Sequence, residues 1–418
     1  MSGSSHLPAA RPSVAFWVYG CRLNQAEAAA WQAALAEQGF PAAPKESAEV
    51  VCVHSCAVTE PAAHEVLKAL RAFRTRRPGV KIILSGCAAK LLPPGVADLC
   101  LPHERKSEWV AAVLAFLGAS GAAPAPVFLP RLKTRASLVV QDGCDQFCAY
   151  CIVPHLRGAP VSEPLPALLK RAEALFAAGY REITLTGCHL ALYRDPVSGA
   201  DFTELLRRLC DVRGEGRFRI SSVEPCILND ADWIRLIAAS GGRLCAFLHL
   251  PVQTVSDALL RRMGRRYTAA DLHRVFDFIG ETLPLCGLSA DWIAGLPGET
   301  EADAAASQAF LSAYPFTGAH IFPYSRRPGT PAAAFPNQVP QHLIHARAAQ
   351  LTHAAEETRR RVLPRFLNRP LTVIPERMRG GAWEGWSAER LRCRLTGAAE
   401  RGKPMVFHPT RIEGECLC

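Results

Sequence analysis

Three cysteines stand as CxxxCxxC in the segment Gln141-Asp-Gly-Cys144-Asp-Gln-Phe-Cys148-Ala-Tyr-Cys151, with Tyr150 just before the last. Thiolates bind iron well, and three of them can hold three corners of a four-iron cluster while the fourth iron keeps no protein ligand. A cluster that only carries electrons usually has four cysteine ligands, so an open iron is a place where a small molecule can bind and react. The alternatives are a zinc site or a chance group of buried cysteines. Zinc pairs usually read CxxC…CxxC, and no second pair follows here.

Such residues need a scaffold, and the chain of 418 residues is long enough for two or three domains. Hydrophobic residues make up 49% of it, enough for a sizeable core. No apolar run reaches the roughly 18 residues that would suggest a transmembrane helix. The start of the chain lacks a basic region followed by an apolar run, so it reads as a short tail and not as a secretory signal. With sixteen cysteines and no export signal, reduced thiols and metal ligation are expected rather than disulfides. The net charge of +10 favours a polyanionic partner but is weak evidence alone.

The first third alternates short strands (14–19, 50–53, 81–85) with amphipathic helices (25–38, 60–75), which predicts a parallel sheet. The stretch 118–126 is rich in Gly, Ala and Pro and reads as a linker. Strand candidates follow at 136–140, 182–186, 217–221, 246–250, 287–293 and 318–322, with helices between them, for example 164–178 and 269–280. Six such pairs predict a partial (β/α) barrel, whose chemistry gathers at the C-terminal strand ends. Cys144, Gly187, Glu224, Gln253 and Gly295 all fall just past a predicted strand. Beyond about residue 364 the pattern changes to short strands at 371–376, 391–395 and 404–407, a small β-domain. The fold class is therefore α/β: an N-terminal parallel-sheet domain (11–120), a partial barrel (130–363) and a small C-terminal β-domain (364–418).

A second set of cysteines then emerges. Cys21, Cys56 and Cys87 each follow one of the first three strands, and loops after adjacent strands of a doubly wound sheet meet at one crevice. Three thiolates far apart in sequence would meet there, again enough for a four-iron cluster with one open iron. The other reading is that each is a small buried apolar residue, as free cysteine often is.

Two cysteine triplets in this order resemble the methylthiotransferases of the radical S-adenosylmethionine (SAM) superfamily. The resemblance covers nearly the whole chain. It is carried by Tyr19-Gly-Cys-Arg-Leu-Asn-Gln25, Cys56-Ala-Val-Thr59, the triplet Cys144, Cys148 and Cys151 with Ile152-Val-Pro154 and Arg157-Gly158, and Ser221-Ser-Val-Glu-Pro225. It continues in His249-Leu-Pro-Val-Gln253, Met263-Gly-Arg-Arg-Tyr-Thr268, Asp291-Trp-Ile-Ala-Gly-Leu-Pro-Gly-Glu-Thr300 and Phe322-Pro-Tyr-Ser-Arg-Arg-Pro-Gly-Thr330. It implies an N-terminal cluster domain, a radical SAM core and a C-terminal TRAM-like β-domain. The cofactors implied are two [4Fe-4S] clusters, one at Cys21, Cys56 and Cys87 and one at Cys144, Cys148 and Cys151, together with SAM.

The implied reaction replaces an unreactive C–H by C–SCH3, which no protein acid or base can do, so the cofactors carry the chemistry. Reductive cleavage of SAM at the Cys144 site would supply the hydrogen-abstracting radical, and the Cys21 site would present the methylated sulfur. By position, Tyr150 would lie by the adenine, Gly187 would let backbone approach the methionine end, Glu224 and Gln253 would reach ribose or amine groups, and the Gly295 to Glu299 turn would flank the adenine. A simple turn at each glycine and an arginine ion pair at Glu224 are the competing readings. The sequence departs from the family at His54-Ser55, where Asn-Thr is usual, and at Cys188, where Val is common. His54 is expected to be a tolerated loop change rather than a ligand or hydrogen-bond partner near the cluster, Cys188 a small packed side chain rather than a thiol near the SAM site, and Cys416-Leu-Cys418 a frayed terminus rather than a metal site.

For the substrate, the family divides between transfer RNA and a ribosomal-protein aspartate. From Arg359 to Arg379 seven arginines face one acid, Glu376, which favours a phosphate-rich partner gripped by the adjoining β-domain. Thr186-Gly-Cys-His-Leu-Ala-Leu-Tyr193 resembles the group acting on threonylcarbamoyladenosine, whereas the isopentenyladenosine group usually has Asn at the position of His189. The expectation is a cytoplasmic enzyme that binds the anticodon stem-loop, takes electrons from a flavodoxin- or ferredoxin-type donor and does not engage a membrane. A non-catalytic iron–sulfur RNA-binding or electron-carrying protein is the alternative of a different class. The two open-iron triplets and the retained glycine motifs speak against it.

Overall fold

The computed structural model describes residues 11–57, 60–119, 134–225 and 231–418, with backbone alone at 60–62. The N-terminal tail, most of the expected linker, and Val58 and Thr59 of the second cysteine motif lie outside the described residues. The chain forms two compact units. One comprises residues up to 130 together with 155–158, and the other comprises 131–154 and 159–418.

The first unit runs β1 (Val14–Val18), α1 (Arg22–Glu37), β2 (Val50–Ser55), α2 (Glu60–Arg76), β3 (Lys81–Gly86), β4 (Leu99–Leu101) and α3 (Trp109–Phe116). The strands form one parallel sheet in the order β1-β2-β3-β4. Alternation along each strand feeds two cores. Ala15, Val51, Val53, Ile82 and Leu84 pack with Val66, Leu70 and Phe73 of α2 on one face. Val14, Val50, Cys52, Ile83 and Leu101 pack with Leu35 of α1 and Trp109 and Val113 of α3 on the other. Near-continuous apolar strands are what a sheet covered on both faces requires. The pairing puts Cys21, Cys56 and Cys87 after the ends of three neighbouring parallel strands, as the periodicity predicts. The fourth strand, β4, is too short to stand out in the sequence.

The second unit contains β5 (Ala136–Val139), β6 (Gln141–Asp142), α4 (Val153–Arg157), whose last residues belong to the first unit, β7 (Val161–Ser162), α5 (Leu165–Ala177), β8 (Glu182–Thr186), α6 (Phe202–Cys210), β9 (Arg217–Ile220) and α7 (Asp232–Ala239). It continues through β10 (Phe247–Gln253), α8 (Asp257–Arg262), α9 (Ala269–Thr282), β11 (Gly287–Ala294), α10 (Glu301–Ala313), β12 (Gly318–Pro323), α11 (Pro331–Ala334) and α12 (Gln341–Val362). Two three-stranded parallel sheets, β5-β8-β9 and β10-β11-β12, are joined by a parallel bridge from Phe218 to Leu244. Six parallel strands thus make the predicted partial barrel. Helix starts are written locally: Thr268 with Asp271 and Thr300 with Asp303 form reciprocal capping boxes for α9 and α10. The helices bury Leu168, Leu205, Ile234, Phe276, Phe310 and Leu351 against the strands.

The chain ends in a six-stranded sheet built from β13 (Leu371–Arg379), β14 (Ala382–Ser387), β15 (Arg392–Leu395), β16 (Met405–Phe407), β17 (Ile412–Glu413) and β18 (Cys416–Leu417), in the order β16-β13-β14-β15-β18-β17. Here the terminus departs from expectation. It is not frayed: Leu417 is fully buried in the core of this sheet, and Cys418 exchanges backbone hydrogen bonds with Arg411. Pairing of β18 with both β15 and β17 holds it. Among the described residues, no helix is long and apolar enough to cross a membrane.

Candidate functional site

In the first unit Gly20 precedes Cys21 and packs against Cys56. Gly20 has φ +106°, and a Cβ there would stand 2.5 Å from Cβ of Cys56 and 3.0 Å from its sulfur, so only glycine admits the approach. The Cys21 thiol donates to Oδ1 of Asn24 at 3.3 Å, and Nδ2 of Asn24 donates to the Ser55 carbonyl at 2.7 Å. Cys87 feels the charges of both Cys56 and Cys21, so all three thiols share one neighbourhood. Burial is the largest influence on the Cys87 thiol and pushes it up to about 11, with Arg157 pulling the other way.

Arg157 is grouped with this unit and donates from Nε to the Cys87 sulfur at 3.3 Å. Its other nitrogens grip both oxygens of Glu27 at 3.1 Å and reach Oδ1 of Asn24 at 2.9 Å. Glu27 in turn meets Nε2 of His54 at 3.0 Å, and Nδ1 of His54 meets Oγ of Ser85 at 2.9 Å. His54 is therefore not a tolerated loop residue. It sits on β2, buried edge-on against Trp31, in a polar chain that ends on a cysteine sulfur.

This chain makes the first unit sensitive to acid. Burial alone would raise the Glu27 carboxyl, but the His54 hydrogen bond and the Arg157 charge outweigh it and hold the group at about 2. A depressed carboxyl contributes stability above its unfolded value of 4.5, and that contribution is lost as pH falls toward 2. The shift is worth on the order of 3 kcal/mol. His54, lowered from 6.5 chiefly by burial, acts in the same direction because it must charge in acid. Stability of the cluster-free chain measured from pH 6 to pH 2.5 is expected to fall more steeply for wild type than for Glu27→Gln. Coincident acid limbs would refute this account.

In the second unit the loop bearing Cys144, Cys148 and Cys151 follows β5 and β6. The backbone N–H of Ala149 donates to the Met263 carbonyl at 2.9 Å, and its own carbonyl accepts from Ala332 at 2.8 Å. The N–H of Cys151 donates back to the Cys148 carbonyl at 2.8 Å. Phe147 is held at φ +47°, costly for an aromatic residue, so its surroundings must fix the loop. Cys151 feels the charges of Cys148 and Cys144, and burial pushes its thiol to about 12. Burial raises Cys144 as well.

The donor sets fit iron–sulfur clusters on these observations. The described cysteines are free thiols, with no disulfide among them. Cys87, Cys144 and Cys151 would stay protonated if left alone, and a thiol becomes a ligand only as the thiolate. Bringing three such groups together makes physical sense when a cation replaces their protons.

The predicted SAM contacts are placed as follows. Tyr150 borders a core of Ala149, Leu259, Met263, Leu296 and Tyr324, and its hydroxyl lies 3.3 Å from Arg265. The close approach at Gly187 comes from the chain itself, because a Cβ there would meet the Gln141 carbonyl oxygen at 2.8 Å. The Gln141 side chain ties this loop to the cysteine loop, donating to the Gly143 carbonyl at 2.7 Å and accepting from the His189 N–H at 2.9 Å. Glu224 is ion-paired with Arg265, the competing reading of that residue. Gln253 sits at φ +67° where the β10–β11 register shifts, an uncommon conformation for a side-chain-bearing residue. The Gly295 N–H donates to the Glu299 carboxylate, which also faces Arg347 at 3.3 Å. Burial raises Glu299 to about 7 against these two partners. The Cys188 thiol donates to Asp142 at 3.3 Å.

Arg265, within the Met263–Thr268 motif, has a role that its sequence context does not signal. It is buried, lies 3.5 Å from the Cys148 sulfur, and is fixed by Glu224, the Pro251 carbonyl at 2.9 Å and the Tyr267 hydroxyl at 2.8 Å. His189 is also buried, its Nδ1 without a hydrogen-bond partner among the described residues. Burial lowers that ring to about 4, so it is neutral at physiological pH. The basic run is partly structural: Arg359 pairs with Glu415 at 2.6 Å, Arg361 donates to the Ser312 carbonyl, Arg365 to the Pro284 carbonyl at 2.7 Å, and Arg377 pairs with Glu384 at 2.9 Å. Arg360, Arg369 and Arg379 are exposed.

Residues 138–311 match the Radical SAM superfamily, and residues 13–99 match the Uncharacterized protein family UPF0004. The chain is similar to the threonylcarbamoyladenosine tRNA methylthiotransferase MtaB of Bacillus subtilis, at 31% identity over 386 residues covering 87% of this chain and 85% of the relative. The protein of the same name from Thermotoga maritima is 32% identical over 372 residues, covering 86% and 85%. A tRNA-2-methylthio-N(6)-dimethylallyladenosine synthase of Cereibacter sphaeroides is 33% identical over 397 residues, covering 86% of each. Among solved structures, the radical SAM methyltransferase TsrM from Kitasatospora setae shares the fold, with a TM-score of 0.56 at 15% identity over 76% of this chain and 75% of that one. The chain belongs to the radical SAM methylthiotransferase family.

Proposed function

We propose that this enzyme converts N6-threonylcarbamoyladenosine beside the anticodon of transfer RNA to its 2-methylthio form. The observation that carries the proposal is similarity to curated tRNA methylthiotransferases along 86–87% of the chain, in a protein whose two units each bring together three free cysteines. The cofactors are SAM and [4Fe-4S] clusters. In this reading Cys21, Cys56 and Cys87 hold one cluster, and Cys144, Cys148 and Cys151 the other. When bound, clusters with an open iron supply the electron that cleaves SAM and the sulfur that is transferred.

The protein's own residues orient and exclude. Arg265 holds Tyr150 and Glu224 in place beside Cys148, and the Gln141 clamp fixes the loop carrying Gly187. Gln253 and the Gly295 to Glu299 turn complete the proposed SAM contacts. A neutral, buried His189 with a free ring nitrogen offers a hydrogen bond to the modified base, which supports the threonylcarbamoyl substrate. The sheet at 364–418, with exposed Arg360, Arg369 and Arg379 nearby, is the proposed grip on the anticodon stem, inside a cytoplasmic enzyme fed by a small electron-transfer protein. The N-terminal boundary at about 120 and the core boundary at about 363 complete the proposed three domains.

The test is competition in vitro. Cluster-loaded enzyme, SAM and a reductant are mixed with equal amounts of transfer RNA bearing threonylcarbamoyladenosine and transfer RNA bearing isopentenyladenosine. Product on the first alone is expected. Product on the second alone would transfer the reading to the isopentenyladenosine group.

A further inference from the structure

We propose that His249, Asp291 and His320 form a binding site for a divalent transition-metal ion of the zinc type, on strands that also carry Gln253 and lead to Gly295. The three residues come from neighbouring parallel strands, β10, β11 and β12, and Asp291 and His320 are register partners. Nε2 of His249 lies 2.9 Å from Oδ1 of Asp291, and Nδ1 of His320 lies 3.1 Å from the same oxygen. All three ligand atoms fall within 4.8 Å of one another. The group lies on the sheet face opposite Trp292, which is fully buried against Phe310 and Phe316.

The chemistry of this trio points to a cation. Two imidazoles aim nitrogen at one carboxylate oxygen, so three electron-pair donors share a small volume. Without an ion, both nitrogens must carry hydrogen and donate to the one oxygen, which fixes the tautomer of each ring. With an ion, all three lone pairs are used at once. The single carboxylate supplies negative charge beside two ring nitrogens, which suits a divalent ion. Tetrahedral arms of about 2.0–2.1 Å place ligand atoms about 3.3 Å apart, slightly more than the two nitrogen–oxygen separations of 2.9 and 3.1 Å. Two histidines and a carboxylate, with no thiolate, form the donor set of zinc sites that keep an open fourth position. His249 is buried and Asp291 is 22% exposed, whereas His320 is 65% exposed, so the fourth position is open to water or to an oxygen of a bound molecule.

The test uses the full chain with both clusters loaded, so that the cysteines are occupied. Zinc is added, excess is removed, and zinc content, affinity against a chromophoric chelator and the zinc X-ray absorption edge are measured. The proposal expects about one zinc per chain with only nitrogen and oxygen neighbours at about 2.0–2.1 Å. His249→Ala and Asp291→Asn should each weaken binding tenfold or more. His320→Ala should do the same, and because that side chain is largely exposed it will not compromise folding. Three results would each overturn the site: no zinc retained by wild type, a sulfur shell at about 2.3 Å, or unchanged affinity in His320→Ala.

Discussion

Glu182→Ala will destabilise the second unit by roughly 3–5 kcal/mol, because it strands buried cations. Glu182 is fully buried at the start of β8 and is met by Arg219 at 2.7 Å, Arg217 at 2.8 Å and Arg135 at 2.9 Å. The same arginines continue into the C-terminal sheet. Arg217 donates to the Thr372 carbonyl at 2.8 Å, Arg219 to the carbonyls of Ala388 at 2.9 Å and Ser387 at 3.0 Å, and Arg135 pairs with Glu376 at 2.8 Å. Glu182 therefore sits among three guanidinium groups at the seam between barrel strands and β-sheet, with Glu376 sharing only Arg135. Burial would raise the Glu182 carboxyl, but the charge and hydrogen bonds of Arg219 dominate and hold it far below the usual carboxylate range. Its contribution is present above the unfolded value of 4.5 and disappears as pH falls below it. Urea unfolding at pH 7.5 reads the effect directly. A loss under about 1 kcal/mol, typical of exposed pairs, would sink the claim.

The second large effect is chemical. Cys148→Ala, reconstituted without oxygen, is expected to bind about four fewer irons per chain, the content of one cubane cluster. With reductant and SAM it should form 5′-deoxyadenosine only at background level. Cys148 is the buried member of its triplet and the one beside Arg265, so no exposed neighbour can substitute for it. Cys56→Ala should lose a similar amount of iron and yet still cleave SAM, because Cys21, Cys56 and Cys87 are proposed to hold the other cluster. Equal deoxyadenosine from wild type and Cys148→Ala would break the assignment.

The sequence made the cysteines legible for two different reasons. The Cys144 triplet is local, so spacing alone reveals it. The Cys21, Cys56 and Cys87 set is scattered but tied to strand ends, and strand period is readable in apolar runs such as 50–53 and 81–85. The partial barrel followed from the same periodicity, and β8 falls on the residues expected. Short or mixed elements escaped. β14 interrupts its tryptophans with Glu384 and Gly385, β17 and β18 have two residues each, and α12 is alanine-rich and weakly amphipathic.

Roles that depend on tertiary partners escaped too. Arg265 meets Glu224 across 41 residues, Arg157 meets Asn24 across 133, and His54 meets Glu27 across 27. No local pattern encodes such pairs. His54 beside Cys56 reads from sequence as a loop substitution, whereas it lies on β2 with Glu27 as its buried carboxylate partner. The expectation of a frayed end failed similarly, because Leu417 fills a core built mostly by residues 362–395.

The most direct test is nucleoside mass spectrometry of transfer RNA from cells lacking this gene, then restored with wild type, Cys148→Ala or Cys56→Ala. The account predicts that the 2-methylthio group disappears from threonylcarbamoyladenosine in the deletion strain and returns only with wild type. An unchanged nucleoside profile in the deletion strain, or full rescue by either cysteine variant, would contradict it.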